Sequence, residues 1–276
     1  EEASATEESS EEAAKDDEKA QPQRSALATE DNIDALGYSL GLMPRPLYRS
    51  IEPPSKFIEL GKLHPHQRQG FDWLVESWRL GRPGVLLADD MGLGKTLQAL
   101  SFAAWLQDNL DAAPGAQKAP LMIVAPTALL NNWRAEHDKH LKDGGLGPPL
   151  EVYGAAIKKL RRVDATKRDV DVGAAGLDRD ELRQANWILT TYETLANYHF
   201  SFAAMPYSFV IFDEIQKIKT PNTINTHAAK TLNAHFTLIY GLLWIVSTRG
   251  CSETLKASPR PMMRRMKLAL GLYSKN

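Results

Sequence analysis

The sequence has no long apolar run and almost no cysteine. No stretch approaches the roughly 20 consecutive apolar residues that a membrane-spanning helix requires. The chain begins with acidic residues rather than with the basic region and apolar core of a secretion signal. Its one cysteine, Cys251, excludes an internal disulfide bond and is typical of a reducing compartment. These absences predict a soluble protein that is neither inserted into a membrane nor exported.

Large apolar side chains are also scarce in the first thirty residues. Residues 1–20 hold nine acidic residues against Lys15 and Lys19, so the remainder of this chain of net charge −1 carries +6. Such a composition buries too little apolar surface to offset the loss of chain entropy. We therefore predict a disordered acidic tail over residues 1–30, serving solubility or an interaction, and a linker and lead-in segment over residues 31–62. The mildly basic remainder is compatible with a nucleic-acid partner.

Short apolar runs alternate with longer amphipathic stretches from Gly84 onward. The strongest runs occupy residues 84–88, 121–125, 187–190 and 209–212, and weaker ones occupy residues 150–153 and 236–239. Continuous apolar runs of this length are typical of strands covered on both faces. Leu97, Leu100 and Ala104 show the helical spacing expected between strands. The pattern predicts an α/β fold, a mainly parallel sheet flanked by helices, with ligands at the carboxyl ends of the strands.

Residues 142–186 interrupt this alternation with pairs of Gly and Pro and then many basic side chains. We expect a loop, a short strand and an exposed helix there. The basic side chains are Lys158, Lys159, Arg161, Arg162, Lys167 and Arg168. They indicate either a solvated helix face or a contact with DNA phosphates, and the sequence leaves both open.

A glycine-rich loop follows the first strong strand and leads directly into a helical run. It reads Asp89-Asp90-Met91-Gly92-Leu93-Gly94-Lys95-Thr96. Gly92 and Gly94 allow backbone N–H groups to wrap a phosphate at the positive end of the helix. Lys95 adds a positive charge for the β and γ phosphates, and Thr96 offers a hydroxyl ligand for Mg²⁺. The general pattern has Gly where Asp89 stands, so only its last part is met.

Two carboxylates follow the apolar run 209–212. Placing Asp213 and Glu214 at the end of a buried strand is costly unless the charges have a function. A Mg²⁺ ion shared with nucleotide phosphates is such a function, with Asp213 as its ligand and Glu214 as the base that activates the attacking water. Together with Lys95, the pair predicts the catalytic groups of an ATP site.

The order of motifs between Leu63 and Phe236 resembles the first RecA-like lobe of the Swi/Snf-type helicase-like ATPases of helicase superfamily two. The similar stretches are residues 63–74, 89–96, 121–140, 186–195 and 213–222. The resemblance implies a RecA-like P-loop domain over residues 63–240 that binds ATP and Mg²⁺, with Gln67 contacting the adenine. It also implies a hydrolase that moves on duplex DNA, in a bacterial cytoplasm at the nucleoid or in a eukaryotic nucleus.

The same resemblance implies contacts with the DNA backbone from the stretches 121–140 and 186–195. Hydroxyl groups and helix amino termini bind phosphates without reading bases. Thr127, Thr190 and Thr191 are therefore the DNA-binding candidates. Alternatively, these threonines only cap the helices that follow their strands.

The chain departs from the family after Phe236. Where the family has a Thr-Gly-Thr-Pro box, this sequence has Thr237-Leu238-Ile239-Tyr240-Gly241, and no second-lobe motif follows. We interpret residues 241–276 as an aberrant or truncated basic tail. The family's second lobe supplies arginines, so ATP hydrolysis by this chain needs another chain or lobe, and a catalytically deficient ATP- and DNA-binding fragment is the alternative. The sequence alone leaves enzymatic activity open.

Overall fold

The computed structural model describes residues 43–53, 63–87, 92–115, 119–142, 144–165, 167–218 and 223–240. The predicted acidic tail, residues 31–42 and 54–62 of the lead-in segment, residues 88–91 and 219–222, and the predicted basic tail lie outside the described residues. Within the described part of the chain, no helix combines the length and the apolar character that crossing a membrane requires.

The helices of the described residues differ strongly in length. Three long ones are α1 (Pro65–Arg79), α2 (Lys95–Asp111) and α3 (Thr127–His140). Six short ones are α4 (Ile157–Leu160), α5 (Asp169–Val172), α6 (Arg179–Gln184), α7 (Tyr192–Asn197), α8 (His199–Ala203) and α9 (Ile224–Lys230). Short 3₁₀ helices occupy Gly154–Ala156 and Ile215–Ile218.

The strands form one large parallel sheet and one small pair. The strands are β1 (Gly84–Leu87), β2 (Leu121–Val124), β3 (Leu150–Val152), β4 (Trp187–Thr190), β5 (Pro206–Tyr207), β6 (Phe209–Asp213), β7 (Asn233–Ala234) and β8 (Thr237–Tyr240). Six of them lie in the order β1-β8-β6-β2-β4-β3, and every neighbouring pair is parallel. The predicted α/β fold with a mainly parallel sheet is confirmed. The two-residue strands β5 and β7, which pair with each other, were not predicted.

Alternate residues of each strand enter two separate cores. Ile123 packs with α1, α2 and α3 on one face of the sheet, whereas its neighbours Met122 and Val124 pack on the other face with the short helices. This alternation follows from the two-residue period of a strand. Because both faces are covered, β2, β4 and β6 are buried along their whole length, which explains their continuous apolar runs.

The described part of the lead-in segment packs against the lobe. The Arg45 guanidinium donates to the carbonyl oxygens of Trp78 at 2.8 Å and of His235 at 2.7 Å. The indole of Trp105 donates to the carbonyl of Ser50 at 2.8 Å, and the Asn109 side chain accepts from the Tyr48 backbone N–H at 2.8 Å. Residues 43–53 therefore belong to the surface of the folded domain.

Candidate nucleotide site

The glycine loop joins β1 to α2, as the sequence predicts. Gly92 and Gly94 have φ angles of +84° and +74°, in the region that side chains disfavour, and Gly94 is the residue preceding the first turn of α2. Lys95 and Thr96 form the amino terminus of this 17-residue helix, where backbone N–H groups lack partners within the helix. The loop therefore presents donors and a positive charge at one point. The candidates Asp89, Asp90 and Met91 lie outside the described residues.

Gln67 packs against this loop. Its side-chain oxygen accepts from the His64 backbone N–H at 3.0 Å, and its amide nitrogen lies 3.5 Å from the Leu93 carbonyl. A Cβ atom at Gly94 would collide with the same amide group. Gln67 thus holds the first turn of α1 against the phosphate loop. This structural role is visible in the sequence, because His64 and Gln67 have the spacing of a capping box. Its contact with adenine remains a prediction.

Asp213 ends β6 in a nearly closed environment. One of its carboxylate oxygens accepts from the Trp133 indole N–H at 3.0 Å, and its backbone carbonyl accepts from the Tyr192 hydroxyl at 2.6 Å. Burial raises the pKa of Asp213 to about 6, the Trp133 hydrogen bond opposes this rise, and the charge of Glu214 adds to it. A cation beside Asp213 would favour its charged form.

Glu214 has an unusual backbone conformation. Its φ of +57° is positive, which no other non-glycine residue in the described ranges shows. For a residue other than glycine, such a conformation costs of order 1 kcal/mol or more, and it tends to occur at functional sites. The turn is fixed by the following 3₁₀ helix, whose Lys217 N–H donates to the Glu214 carbonyl at 3.0 Å. The Gln216 side chain also donates to the Glu214 carboxylate.

These groups line one cavity of about 440 Å³ at the carboxyl ends of the neighbouring strands β1, β8 and β6. The cavity brings together the predicted residues Gly92, Gly94, Lys95, Thr96, Asp213 and Glu214. It also contains residues that were not predicted as site residues, namely Leu129, Asn132, Trp133, Ala135, Glu136, Leu97 and Tyr240. The first five have the helical spacing of one face of α3. For Tyr240, the only signal is its position at the end of a strand.

The residues present suit a magnesium nucleotide. Oxygen ligands are those that Mg²⁺ prefers, and the cavity offers them from the Thr96 hydroxyl and the Asp213 carboxylate. The space that a side chain at Gly92 would occupy is empty, so the loop leaves room for a phosphate. The buried Asp213 carboxylate, whose pKa is raised, is in an environment where a divalent cation is electrostatically favourable.

The three threonine candidates lie in different environments. Thr127 is exposed at the amino terminus of α3. Thr190 is fully buried in β4, and its hydroxyl donates to the Val152 carbonyl of β3 at 2.8 Å. This buried hydroxyl is not accessible to a DNA phosphate in this structure, so the placement of Thr190 at the DNA is not supported. Thr191 caps α7, where its side chain accepts from the Thr194 N–H at 3.0 Å, as the capping alternative predicts.

The sequence pattern of the SNF2-related domain family matches residues 66–240, which is more than half of the chain. Zorya protein ZorD of Escherichia coli O139:H28 is 38% identical over 226 residues, covering 77% of this chain and 20% of that protein. DNA excision repair protein ERCC-6-like of Danio rerio is 32% identical over 179 residues, covering 63% of this chain and 11% of that protein. The chain thus spans a fifth or less of the length of these relatives.

A solved structure shows the same fold. The Sulfolobus solfataricus SWI2/SNF2 ATPase core in complex with dsDNA matches with a TM-score of 0.53 and 25% sequence identity. The match covers 70% of this chain and 34% of that chain. The resemblance to the first lobe of the Swi/Snf-type ATPases is therefore confirmed. The chain belongs to the SNF2-related domain family and forms a helicase-like ATPase lobe with the RecA-like fold.

Proposed function

We propose that this lobe binds ATP with Mg²⁺ in the cavity between the glycine loop and the end of β6, and that it hydrolyses ATP when a second lobe completes the site. The observation that carries the proposal is the meeting of Lys95, Thr96 and the buried Asp213 around one cavity. These groups come from segments more than a hundred residues apart in the sequence, and the parallel sheet places them at the same edge.

Each group has a separate task in this proposal. Lys95 binds the β and γ phosphates, while Thr96 and Asp213 hold the metal ion. Mg²⁺ neutralises charge on the phosphate oxygens. Glu214, whose backbone conformation directs its carboxylate into the cavity lining, orients the attacking water and accepts its proton. Trp133 positions Asp213 through its indole hydrogen bond.

We further propose that the lobe binds the backbone of duplex DNA and contributes to movement along it. The family assignment supports this, as does the dsDNA present with the Sulfolobus solfataricus ATPase core. On this chain, Thr127 is exposed at the amino terminus of a 14-residue helix, where backbone N–H groups favour a phosphate. Contacts of this kind are independent of base sequence.

The basic segment contributes less free charge than its sequence indicates. Arg162 pairs with Asp164 at 2.7 Å, and Arg168 pairs with Asp171 at 2.8 Å. Arg161 donates to the Tyr198 hydroxyl. These partners favour the solvated-surface interpretation for the arginines, and we do not include them in the proposed DNA contact.

The experiment measures Mg-ATP affinity by calorimetry and the ATPase rate with and without duplex DNA, for the wild type and for Lys95→Ala. We expect Mg-ATP binding by the wild type and, when a second lobe is supplied, a DNA-stimulated rate, both lost in Lys95→Ala. Lys230→Ala on α9 removes the same charge at an exposed residue that does not line the cavity, and it should behave as the wild type. A wild-type chain with no affinity for Mg-ATP contradicts the proposal.

The second candidate function is a lobe that binds ATP and DNA without turnover by itself. The presence of Thr237-Leu238-Ile239-Tyr240 where the family has its Thr-Gly-Thr-Pro box favours it. Arginines of the kind supplied by a second lobe increase phosphoryl-transfer rates by about 10³ to 10⁵. Mg-ATP binding that depends on Lys95, together with no rate above that of Lys95→Ala, would identify this second function.

A further inference from the structure

A tyrosine whose buried hydroxyl has no hydrogen-bond partner among the described residues lies in the lining of the cavity. Tyr240 ends β8 and is only 3% exposed. Its hydroxyl forms no hydrogen bond of acceptable geometry with any of the residues that the structure describes. An unpaired buried polar group costs roughly 1–3 kcal/mol, and such groups are rare in folded proteins. A phenylalanine would fill the same space without this cost, so the presence of the hydroxyl indicates that it has a function.

The position of Tyr240 follows from the sheet register. Tyr240 pairs with Leu87 of β1 on one side and with Asp213 of β6 on the other. Paired residues of parallel strands point to the same face, so the tyrosine ring lies beside the Asp213 carboxylate. Its ring also packs against Trp133, with centroids 5.9 Å apart. Tyr240 therefore lies in the lining of the cavity next to Asp213.

The hydroxyl lies near the two groups to which we assign the metal ion. The charge of Asp213 and the hydroxyl of Thr96 both act on it, and all three side chains line the same cavity. One oxygen of Asp213 is already bound by Trp133. Burial is the main reason that the pKa of Tyr240 is well above its ordinary value, with a further rise from Asp213 and a smaller opposing effect from Thr96.

We propose that the Tyr240 hydroxyl donates a hydrogen bond to an oxygen of the bound magnesium nucleotide, either a phosphate oxygen or a water ligand of the metal ion. The inference rests on the proposed nucleotide site and adds a binding residue to it. Tyr240 belongs to the stretch that stands where the family has its Thr-Gly-Thr-Pro box, so this chain places its own donor in the lining of the cavity.

The experiment compares Tyr240→Phe with the wild type by calorimetric titration of Mg-ATP and by thermal unfolding without and with Mg-ATP. Losing one hydrogen bond to a charged group should weaken Mg-ATP binding roughly tenfold or more. Without nucleotide, the unfolding temperature should change little, because the hydroxyl that is removed interacts with Thr96 without forming a full hydrogen bond. The increase in unfolding temperature caused by Mg-ATP should therefore become smaller.

Tyr207→Phe is the matched control. Tyr207 is equally buried, but its hydroxyl donates to the Phe202 carbonyl at 3.1 Å in the core on the other face of the sheet. This variant should unfold at a lower temperature and bind Mg-ATP as the wild type does. Repeating the titrations with ATP in EDTA locates the acceptor. A defect that persists identifies a phosphate oxygen, and a defect seen only with Mg²⁺ identifies a metal ligand.

The outcomes separate this inference from the proposed function. If Lys95→Ala loses Mg-ATP binding but Tyr240→Phe binds as tightly as the wild type, the role of Tyr240 is wrong and the nucleotide site stands. If Tyr240→Phe lowers the unfolding temperature without nucleotide and leaves the Mg-ATP affinity unchanged, the hydroxyl is structural. If the wild type itself does not bind Mg-ATP, both proposals fail.

Discussion

The two faces of the sheet are stabilised in different ways. The face covered by α1, α2 and α3 has long helices of 15, 17 and 14 residues, packed through apolar and aromatic side chains. The face covered by α4 to α9 has helices of four to seven residues. Helices this short are not stable alone, so they depend on packing and on specific hydrogen bonds.

Polar anchors hold the short helices on their face of the sheet. The buried Asp169 carboxylate accepts from the backbone N–H groups of Gly176 at 2.8 Å and Ser201 at 2.7 Å. Thr191, Asp178 and Thr223 cap α7, α6 and α9 through their side chains. The nucleotide cavity is lined instead by the glycine loop, α3 and strand ends. The difference indicates that one face supports the fold while the other carries the site.

The largest expected effect comes from removing the anchor Asp169. In Asp169→Ala the buried N–H groups of Gly176 and Ser201 lose their acceptor, and we expect a loss of about 3 kcal/mol in the free energy of unfolding. Urea unfolding measures this loss. The exposed Asp171→Ala should cost less than about 1 kcal/mol, because it removes only a surface ion pair.

Nucleotide affinity of the Asp169 variant tests the comparison directly. Below the urea concentration at which the variant unfolds, Asp169→Ala should bind Mg-ATP as the wild type does. A large loss of affinity in a folded Asp169→Ala protein would mean that the two faces are not separate in function.

The next effect concerns the charge of Asp213. Its pKa of about 6 lies above the ordinary value of 3.8, so the folded state binds a proton that the unfolded state releases between these values. The contribution of Asp213 to the free energy of unfolding without nucleotide is therefore greatest below about pH 4. This contribution falls by about 3 kcal/mol as the pH rises through 6. Asp213→Asn should remove this pH dependence and raise the free energy of unfolding at pH 8, while weakening Mg-ATP binding.

The control for this prediction is Asp111→Asn at the exposed end of α2, which should keep the pH dependence of the wild type. Urea unfolding at several pH values between 4 and 8 provides the measurement. An Asp213→Asn protein that is less stable than the wild type at pH 8 would show that the ionised carboxylate stabilises the fold, contrary to its buried environment.

The smallest expected effects distinguish caps from DNA contacts. Thr191→Ala should lower the free energy of unfolding by about 1 kcal/mol through loss of the α7 cap and leave the DNA affinity unchanged. Thr127→Ala should leave stability nearly unchanged and weaken duplex DNA binding modestly. Fluorescence anisotropy with labelled duplex DNA measures both. A loss of DNA affinity in Thr191→Ala but not in Thr127→Ala would reverse these assignments.

Much of the architecture could be predicted because the signals are local. The six apolar runs became the six strands of the large sheet, with boundaries shifted by one residue at β1, β2, β3, β6 and β8. The glycine loop and the acidic pair were recognisable because special backbone conformations and charges at strand ends restrict which residues can occur there. The short strands β5 and β7 were not predicted, because a strand of two residues is too short to show a recognisable sequence pattern.

Contacts between distant segments could not be predicted in the same way. The Trp133 hydrogen bond to Asp213 joins residues 80 positions apart, and the Arg45 hydrogen bond to His235 joins residues 190 positions apart. Both depend on which strands are neighbours. Thr190 illustrates the consequence, because its hydroxyl was a DNA candidate until the pairing of β4 with β3 placed it beside the Val152 carbonyl.

The sequence by itself determined the layered α/β fold, the phosphate loop at Gly92 to Thr96 and the carboxylates at 213 and 214, because each depends on residue type and short spacing. Only the tertiary structure decided that β8 lies between β1 and β6. That strand order places Tyr240 between the end of β1 and Asp213, in the lining of the cavity. Strand order arises from how the whole chain packs, which no local stretch of sequence specifies.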